Sequence, residues 1–224
     1  EAGSTDLFTV VLNAQPTTDV VLSISSADTG EATVTSSLTF TAANWDTPQN
    51  VTVTGVDDDI IDGSQVSTST ISIIGAISDD NFDAVADQTV SVTTTDDDVA
   101  GFTIAETSGS TGVDESGSTD IFTVVLNAEP SSNVVLDITS SDTGEATVTS
   151  SLTFTAANWD TAQTVTVTGV DDDLIDGTIS SSITVAINDG SSDDNFDAVA
   201  DQTVSVTTTD DDVAGFTIAE TNGS

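Results

Sequence analysis

Residues 1–110 recur as residues 115–224 at a fixed offset of 114, without a gap; 86 of the 110 aligned positions are identical and 24 differ. A period this long is one whole domain, not a coil of a solenoid. Any fold must therefore be made twice from nearly the same string. The stretches 31–44 and 81–107 are unchanged in their copies, whereas differences gather at 64–77 against 178–191. The repeat predicts three segments: 1–98, a first sandwich without its opening strand; 99–212, a second and complete one; and 213–224, the opening strand of a third copy. The arithmetic is two periods less four residues.

Within a copy, apolar residues alternate with Thr and Ser. Phe122, Val124 and Leu126 share one face by period two, as do Val134, Leu136 and Ile138. β-Branched residues dominate and suit a pleated surface. Breakers such as Glu129-Pro130-Ser131-Ser132 and Asp142-Thr143-Gly144 separate the runs. In the second copy, strands are expected at 101–105, 120–128, 134–139, 146–149, 152–155, 164–168, 183–187 and 203–208, with one helical turn in 194–200. Short strands at this spacing predict an all-β fold of tandem antiparallel Greek-key β-sandwiches, Ig-like, of about 114 residues each. Trp159 is expected at the edge of the core.

Charge narrows the function. The chain holds 39 Asp and Glu and no Lys, Arg or His, a net charge of −39; Cys, Met and Tyr are also absent. Nothing can neutralise phosphate, so nucleic acid is excluded as a partner. Polybasic membrane contact is excluded too, and no apolar run has the ~20 residues of a membrane span, so direct membrane insertion is not expected. No imidazole, thiolate or amine can serve as nucleophile or base. A carboxylate pair could run glycoside hydrolysis, but the acids recur in both copies, so no enzyme is expected. With 36% hydrophobic residues, the composition is not that of an acidic disordered tail.

The acids are clustered. Copy one carries Asp57–Asp59 with Asp62, then Asp79, Asp80 and Asp83, then Asp96–Asp98; copy two repeats them as Asp171–Asp173 with Asp176, Asp193, Asp194 and Asp197, and Asp210–Asp212. Acidity kept for solubility alone predicts scattered acids such as Asp19, Glu129 and Asp137, not triplets at two loops of each copy. Like charges ~5 Å apart at an effective dielectric of ~20 cost about 3 kcal/mol per pair. A hard divalent cation with oxygen ligands offsets this, and calcium suits irregular loops better than magnesium.

Several elements together resemble the Calx-β domain, known from sodium/calcium exchangers and from large bacterial surface and adhesin-type proteins. They are the opening Val113-Asp114-Glu115-Ser116-Gly117, the pair SLTF…QTVTVTGV, the acidic loop after it, and VSVTTTDDD running into VAGFTI. The resemblance implies calcium ligands at Glu115, Asp142, Asp171, Asp172, Asp173, Asp176, Asp210, Asp211 and Asp212, with a carbonyl near Leu174. In copy one the equivalents are Glu1, Asp28, Asp57, Asp58, Asp59, Asp62, Asp96, Asp97 and Asp98. The chain departs from the family in three ways: the family usually has Glu where Asp176 stands and an acid where Ile179 and Gln65 stand, and its Asp-Tyr element is not visible here.

These readings predict a calcium-stabilised stalk of an extracellular or cell-surface protein, with several Ca²⁺ ions at each domain junction clamping the joint. An alternative is a filament subunit. In that reading residues 213–224 are donated to the incomplete first sandwich of the next chain, so that the partners are copies of the same repeat joined head to tail.

Overall fold

The alternating Thr/Val runs form β-strands throughout the computed structural model, which describes residues 1–220. The chain divides into unit 1, Glu1–Asp98, and unit 2, Val99–Ser224. Each is a β-sandwich.

Unit 1 contains β1 (Thr5–Val10), β2 (Val20–Ser26), β3 (Ala32–Val34), β4 (Ser37–Phe40), β5 (Gln49–Gly55), β6 (Gln65–Ile73) and β7 (Gln88–Thr94). One sheet has the order β1-β5-β3, the other β4-β2-β6-β7, and the pairings are antiparallel. The inward residues Val20, Leu22, Ile24, Phe40 and Val51 form the core between them, with Trp45 packed at its edge.

Unit 2 adds two strands at its start. β8 (Phe102–Glu106) and β9 (Thr111–Asp114) precede β10 (Thr119–Leu126), β11 (Val134–Ser140), β12 (Ala146–Val148), β13 (Ser151–Phe154), β14 (Gln163–Gly169), β15 (Ile179–Ile187) and β16 (Gln202–Thr209). The sheets are β12-β14-β10-β8 and β13-β11-β15-β16-β9. Consecutive β8 and β9 thus belong to opposite sheets, β8 antiparallel to β10 and β9 parallel to β16. The chain crosses between them at Thr107–Gly109, where Ser108 (φ 59°) and Gly109 (φ 77°) take left-handed backbone. The core is fully buried Phe122, Phe154, Phe196, Leu136 and Ile183. Such side chains each contribute about 1.5–3 kcal/mol by leaving water.

The expected all-β sandwich is the observed fold, with strand ends shifted by a residue or so. β15 begins at Ile179, four residues before its expected start. β9 was not expected, because Thr-Gly-Val-Asp shows only one alternation, Thr111 and Val113 inward. The expected helical turn is a 3-10 turn at Asp194–Phe196, capped by Asp193, whose side chain accepts from the Asn195 N–H. Trp159 is half-buried and its carbonyl accepts the Leu126 N–H at 3.1 Å. Of the strand expected at 213–224, residues 213–220 have no regular secondary structure, and 221–224 lie outside the described residues.

Candidate metal centre

Parallel pairing of β9 with β16 is what delivers a glutamate to the acidic pole of unit 2. Thr209 pairs with Asp114, and the Glu115 N–H donates to the Thr209 carbonyl at 3.1 Å. The next residue after Thr209 is Asp210, first of the terminal triplet. On the opposite sheet the end of β9 crosses β14 at Gly169, where a Cβ would lie 2.0 Å from the Asp114 carbonyl oxygen. Only glycine admits that approach. The loop after β14 then brings up Asp171–Asp173, and its Gly177 N–H donates to Asp210 Oδ2 at 2.8 Å. Both acidic tracts therefore meet at one end of the sandwich.

Three groups of carboxylates have oxygens within 4.8 Å of one another among the described residues: Glu115, Asp210 and Asp212; Glu145, Asp172 and Asp176; and, in unit 1, Glu1, Asp58 and Asp98. Glu115 is only 1% exposed and Glu1 4%. Neither oxygen of either carboxylate has a hydrogen-bond donor, and Oε2 of Glu145 and Oδ2 of Asp212 are likewise buried without one. Buried polar atoms are ordinarily satisfied, and a buried charge is ordinarily paired. The chain has no basic side chain that could do so.

The electrostatics follow. Burial, then the charges of Asp210, Asp172, Asp176 and Glu145, push the Glu115 carboxyl up to about 7. Burial, then Asp58, with Asp96 and Glu31 behind it, pushes Glu1 up to about 7 against the opposing pull of its own amine. Glu145 is raised by burial and then by Asp176, Asp142 and Asp172. Asp98 and Asp212 are raised by burial and by their neighbouring aspartates. Asp210 moves the other way, held low by the Gly177 and Asp212 N–H groups, the latter at 2.7 Å from Oδ1. Unit 1 repeats this scaffold, with Asp96 accepting the Gly63 N–H at 2.7 Å and the Asp98 N–H at 2.7 Å.

The donor set is all oxygen, anionic and irregular, as calcium prefers. Three carboxylates per group leave places for carbonyls and water.

The sequence-derived residues divide on this geometry. Asp172, Asp176, Asp210, Asp212 and Glu115 join groups in unit 2, as do Glu1, Asp58 and Asp98 in unit 1. The others stand beside them. Asp142 and Asp28 close turns, accepting the N–H of Gly144 and Gly30 at 3.0 Å. Asp57 accepts the Ala2 N–H at 3.1 Å. Asp97 lies 3.6 Å from the Glu1 amine. Asp171, Asp173 and Asp211 are not members of a group but act on Asp212 by charge. Asp59 acts on Asp98 in the same way, and Asp62 acts on Glu31. Glu145 was missed. It is a single Glu in Asp-Thr-Gly-Glu-Ala-Thr-Val, and its sole signal is that the copy, Glu31, is unchanged.

The third acidic tract has a different role. Asp193 is buried, accepting Ser131 Oγ at 2.7 Å, the Ser132 N–H at 2.8 Å and the Asn195 N–H at 3.0 Å. Burial would raise its carboxyl, but these donors outweigh that and hold it low. Asp79 is held low in the same way, through Asn81, Thr17 and Thr18. The nine residues of β15 separate Asp176 from Asp193, so at ~3.3 Å per residue the two lie at opposite poles.

No family model matches the chain, and no curated protein matches it. Among solved structures it is similar to domains 4 and 5 of the S-layer protein SbsC, at 18% identity and a TM-score of 0.40, covering 84% of this chain and 70% of that one. It is also similar to the apo form of the Calx CBD1 domain, at 17% identity and TM-score 0.36, covering 50% and 98%. The calcium binding domain CBD12 of CALX1.1 matches at 16% identity and TM-score 0.34, covering 82% and 74%. The chain spans about a fifth of the longer SbsC chains it matches.

Proposed function

We propose that the chain is a calcium-stabilised structural repeat, a stiff spacer within an extracellular, cell-surface or adhesin-type protein. One observation carries it. Glu115 and Glu1 are buried, both oxygens of each lack a donor, each sits among aspartates, and the chain has no cationic side chain to pair with them. A divalent ion supplies the missing charge and takes up the idle oxygens. The acids themselves recur in both copies, and a buried glutamate, Glu1 or Glu115, joins an acidic group in each; this fits a modular scaffold better than a catalyst, whose site needs to occur once.

The role as a spacer follows from where the ligands lie in the chain. Asp98 is the last residue of unit 1 and a member of its acidic group, and Val99 follows directly. Ions bound by that group restrain the point at which the chain leaves the sandwich, and so lower the freedom of the joint. Millimolar calcium outside cells suits sites of modest affinity.

Small-angle scattering of the full chain tests the spacer, and calorimetric calcium titration tests the sites. Saturable calcium binding and a longer maximum dimension in calcium than in chelator are expected. Absence of binding sinks the metal reading. Binding with no change in dimension sinks the clamp alone.

A further inference from the structure

Three Asp-Gly pairs occur in the chain: Asp62-Gly63, Asp176-Gly177 and Asp189-Gly190. Aspartate before glycine is the pairing most open to backbone isomerisation, because no Cβ on the next residue shields its amide nitrogen from the carboxyl carbon. Asp176-Gly177 lies in the acidic loop after β14, and both residues are exposed, so water reaches the bond.

Glycine serves the backbone at this point. Gly177 takes left-handed φ (77°), and a Cβ there would meet nothing within 4 Å. A turn that needs glycine thus follows an aspartate that joins Glu145 and Asp172 in one carboxylate group. The reaction such a pair undergoes is fixed by its chemistry. The Gly177 nitrogen attacks Cγ of Asp176 and a C–N bond forms. One carboxyl oxygen leaves as water, taking the nitrogen's proton and the carboxyl's own, and a cyclic imide remains. Water then opens the imide at either carbonyl and returns a proton to nitrogen. Opening at the former main-chain carbonyl gives isoaspartate, of unchanged composition, with the chain running through the side-chain carbon.

The folded loop keeps the two reacting groups apart. The Gly177 N–H is engaged by Asp210 Oδ2 at 2.8 Å, and the other oxygen of Asp210 accepts the Asp212 N–H at 2.7 Å, so the acceptor is itself anchored. Unit 1 has the same brace, from the Gly63 N–H to Asp96 Oδ2 at 2.7 Å. The Asp176 carboxylate is turned to Glu145 and Asp172, with oxygens within 4.8 Å of one another. A cation held by that group fixes the carboxylate in place. Without one the three carboxylates repel and the loop opens locally, which frees Asp176 to meet its own backbone.

We propose that Asp176-Gly177 is an isomerisation site that the calcium-loaded acidic pole holds shut, so that time spent without calcium is recorded in the chain as isoaspartate. The proposal rests on the calcium reading above. Isomerisation adds a methylene to the main chain and moves the carboxylate onto Cα, so Glu145 and Asp172 lose their third partner and the loss outlasts the return of calcium. Asp189-Gly190 is the built-in control. Both residues are exposed, Asp189 joins no carboxylate group among the described residues, and the nine residues of β15 separate it from the acidic loop.

The full chain, aged at neutral pH in excess calcium and in excess chelator, tests this, with isoaspartate at each pair read by peptide mapping and electron-transfer fragmentation. Calcium at about a hundred times its Kd lowers the open population about a hundredfold, and isoaspartate at 176 should form more slowly in calcium by a factor approaching that. At 189 it should form equally in both. Chelator-aged chain returned to calcium should bind at least one ion fewer by native mass spectrometry. Gly177→Asn, the replacement that best tolerates left-handed backbone, should suppress the product at 176, leave that at 189 and keep the ion count on ageing. Equal rates at 176 in calcium and in chelator, in a chain that calorimetry shows to bind calcium, overturn this proposal alone. So does chelator-aged chain with product at 189 and none at 176. Absence of calcium binding in the calorimeter overturns the metal reading and this proposal with it.

Discussion

Glu115 and Asp210 share one acidic group but are driven in opposite directions: burial raises the glutamate to about 7, while two backbone N–H donors hold the aspartate low. The difference comes from their surroundings: Glu115 has no hydrogen-bond donor, whereas Asp210 has two. They also give each residue a distinct test.

Glu115→Gln keeps the shape of the side chain and removes its charge. In chelator the variant should melt at or above the wild-type temperature, because an unpaired buried charge is gone. In calcium it should gain less. An ion at about a hundred times its Kd stabilises the folded state by about 2.7 kcal/mol per site, and this increment should fall away for the group that contains residue 115. Differential scanning calorimetry with and without calcium reads both arms.

The pH response without calcium follows from the same residue. Glu115 titrates near 4.5 when unfolded and near 7 when folded, and Glu1 does the same. The folded state binds these protons more tightly, so their contribution to stability is complete below about 4.5 and is lost as the pH rises through about 7. Asp79 and Asp193 are held low and act only at still lower pH. Melting temperature in chelator should therefore fall between about pH 5 and about pH 8. Calcium needs the deprotonated carboxylates, so its affinity should rise across the same interval. A melting temperature in chelator that climbs with pH contradicts the burial of these groups.

Much of the fold was legible because period-two alternation is a local property, and each Val-Thr run became a strand. The acidic pole was legible because triplets directly follow strands. What could not be read were features made by distant pairing. β9 owes its existence to a parallel register with β16, some ninety residues away, and its four residues carry little pattern of their own. Glu145 becomes part of a group only because β12 pairs with β14 and sets it against Asp172 and Asp176. Asp142, for its part, uses one carboxylate oxygen to close its own turn onto Gly144, a local role that its spacing does not reveal.

Glu145→Gln should then remove a binding event that the sequence did not announce. Native mass spectrometry in calcium should show at least one ion fewer than wild type. Asp142→Asn, which leaves the Glu145 group intact, should change the ion count less. An unchanged count in the Glu145 variant would show that its buried oxygen has another purpose.

The last test separates backbone from ligands. Ala at position 169 would put its Cβ 2.0 Å from the Asp114 carbonyl oxygen, whereas at position 55 the nearest atom, the Glu1 carbonyl oxygen, is 3.1 Å away. The first contact is impossible without moving β9; the second asks for a shift of a few tenths of an ångström. Gly169→Ala should cost about 3 kcal/mol, the upper range for overpacking, and Gly55→Ala distinctly less. Because Glu115 directly follows β9, Gly169→Ala should also blunt the calcium-induced rise in melting temperature, although no carboxylate has been touched. Equal effects of the two substitutions, or a full calcium response in Gly169→Ala, would mean that the β9–β14 crossing does not position Glu115.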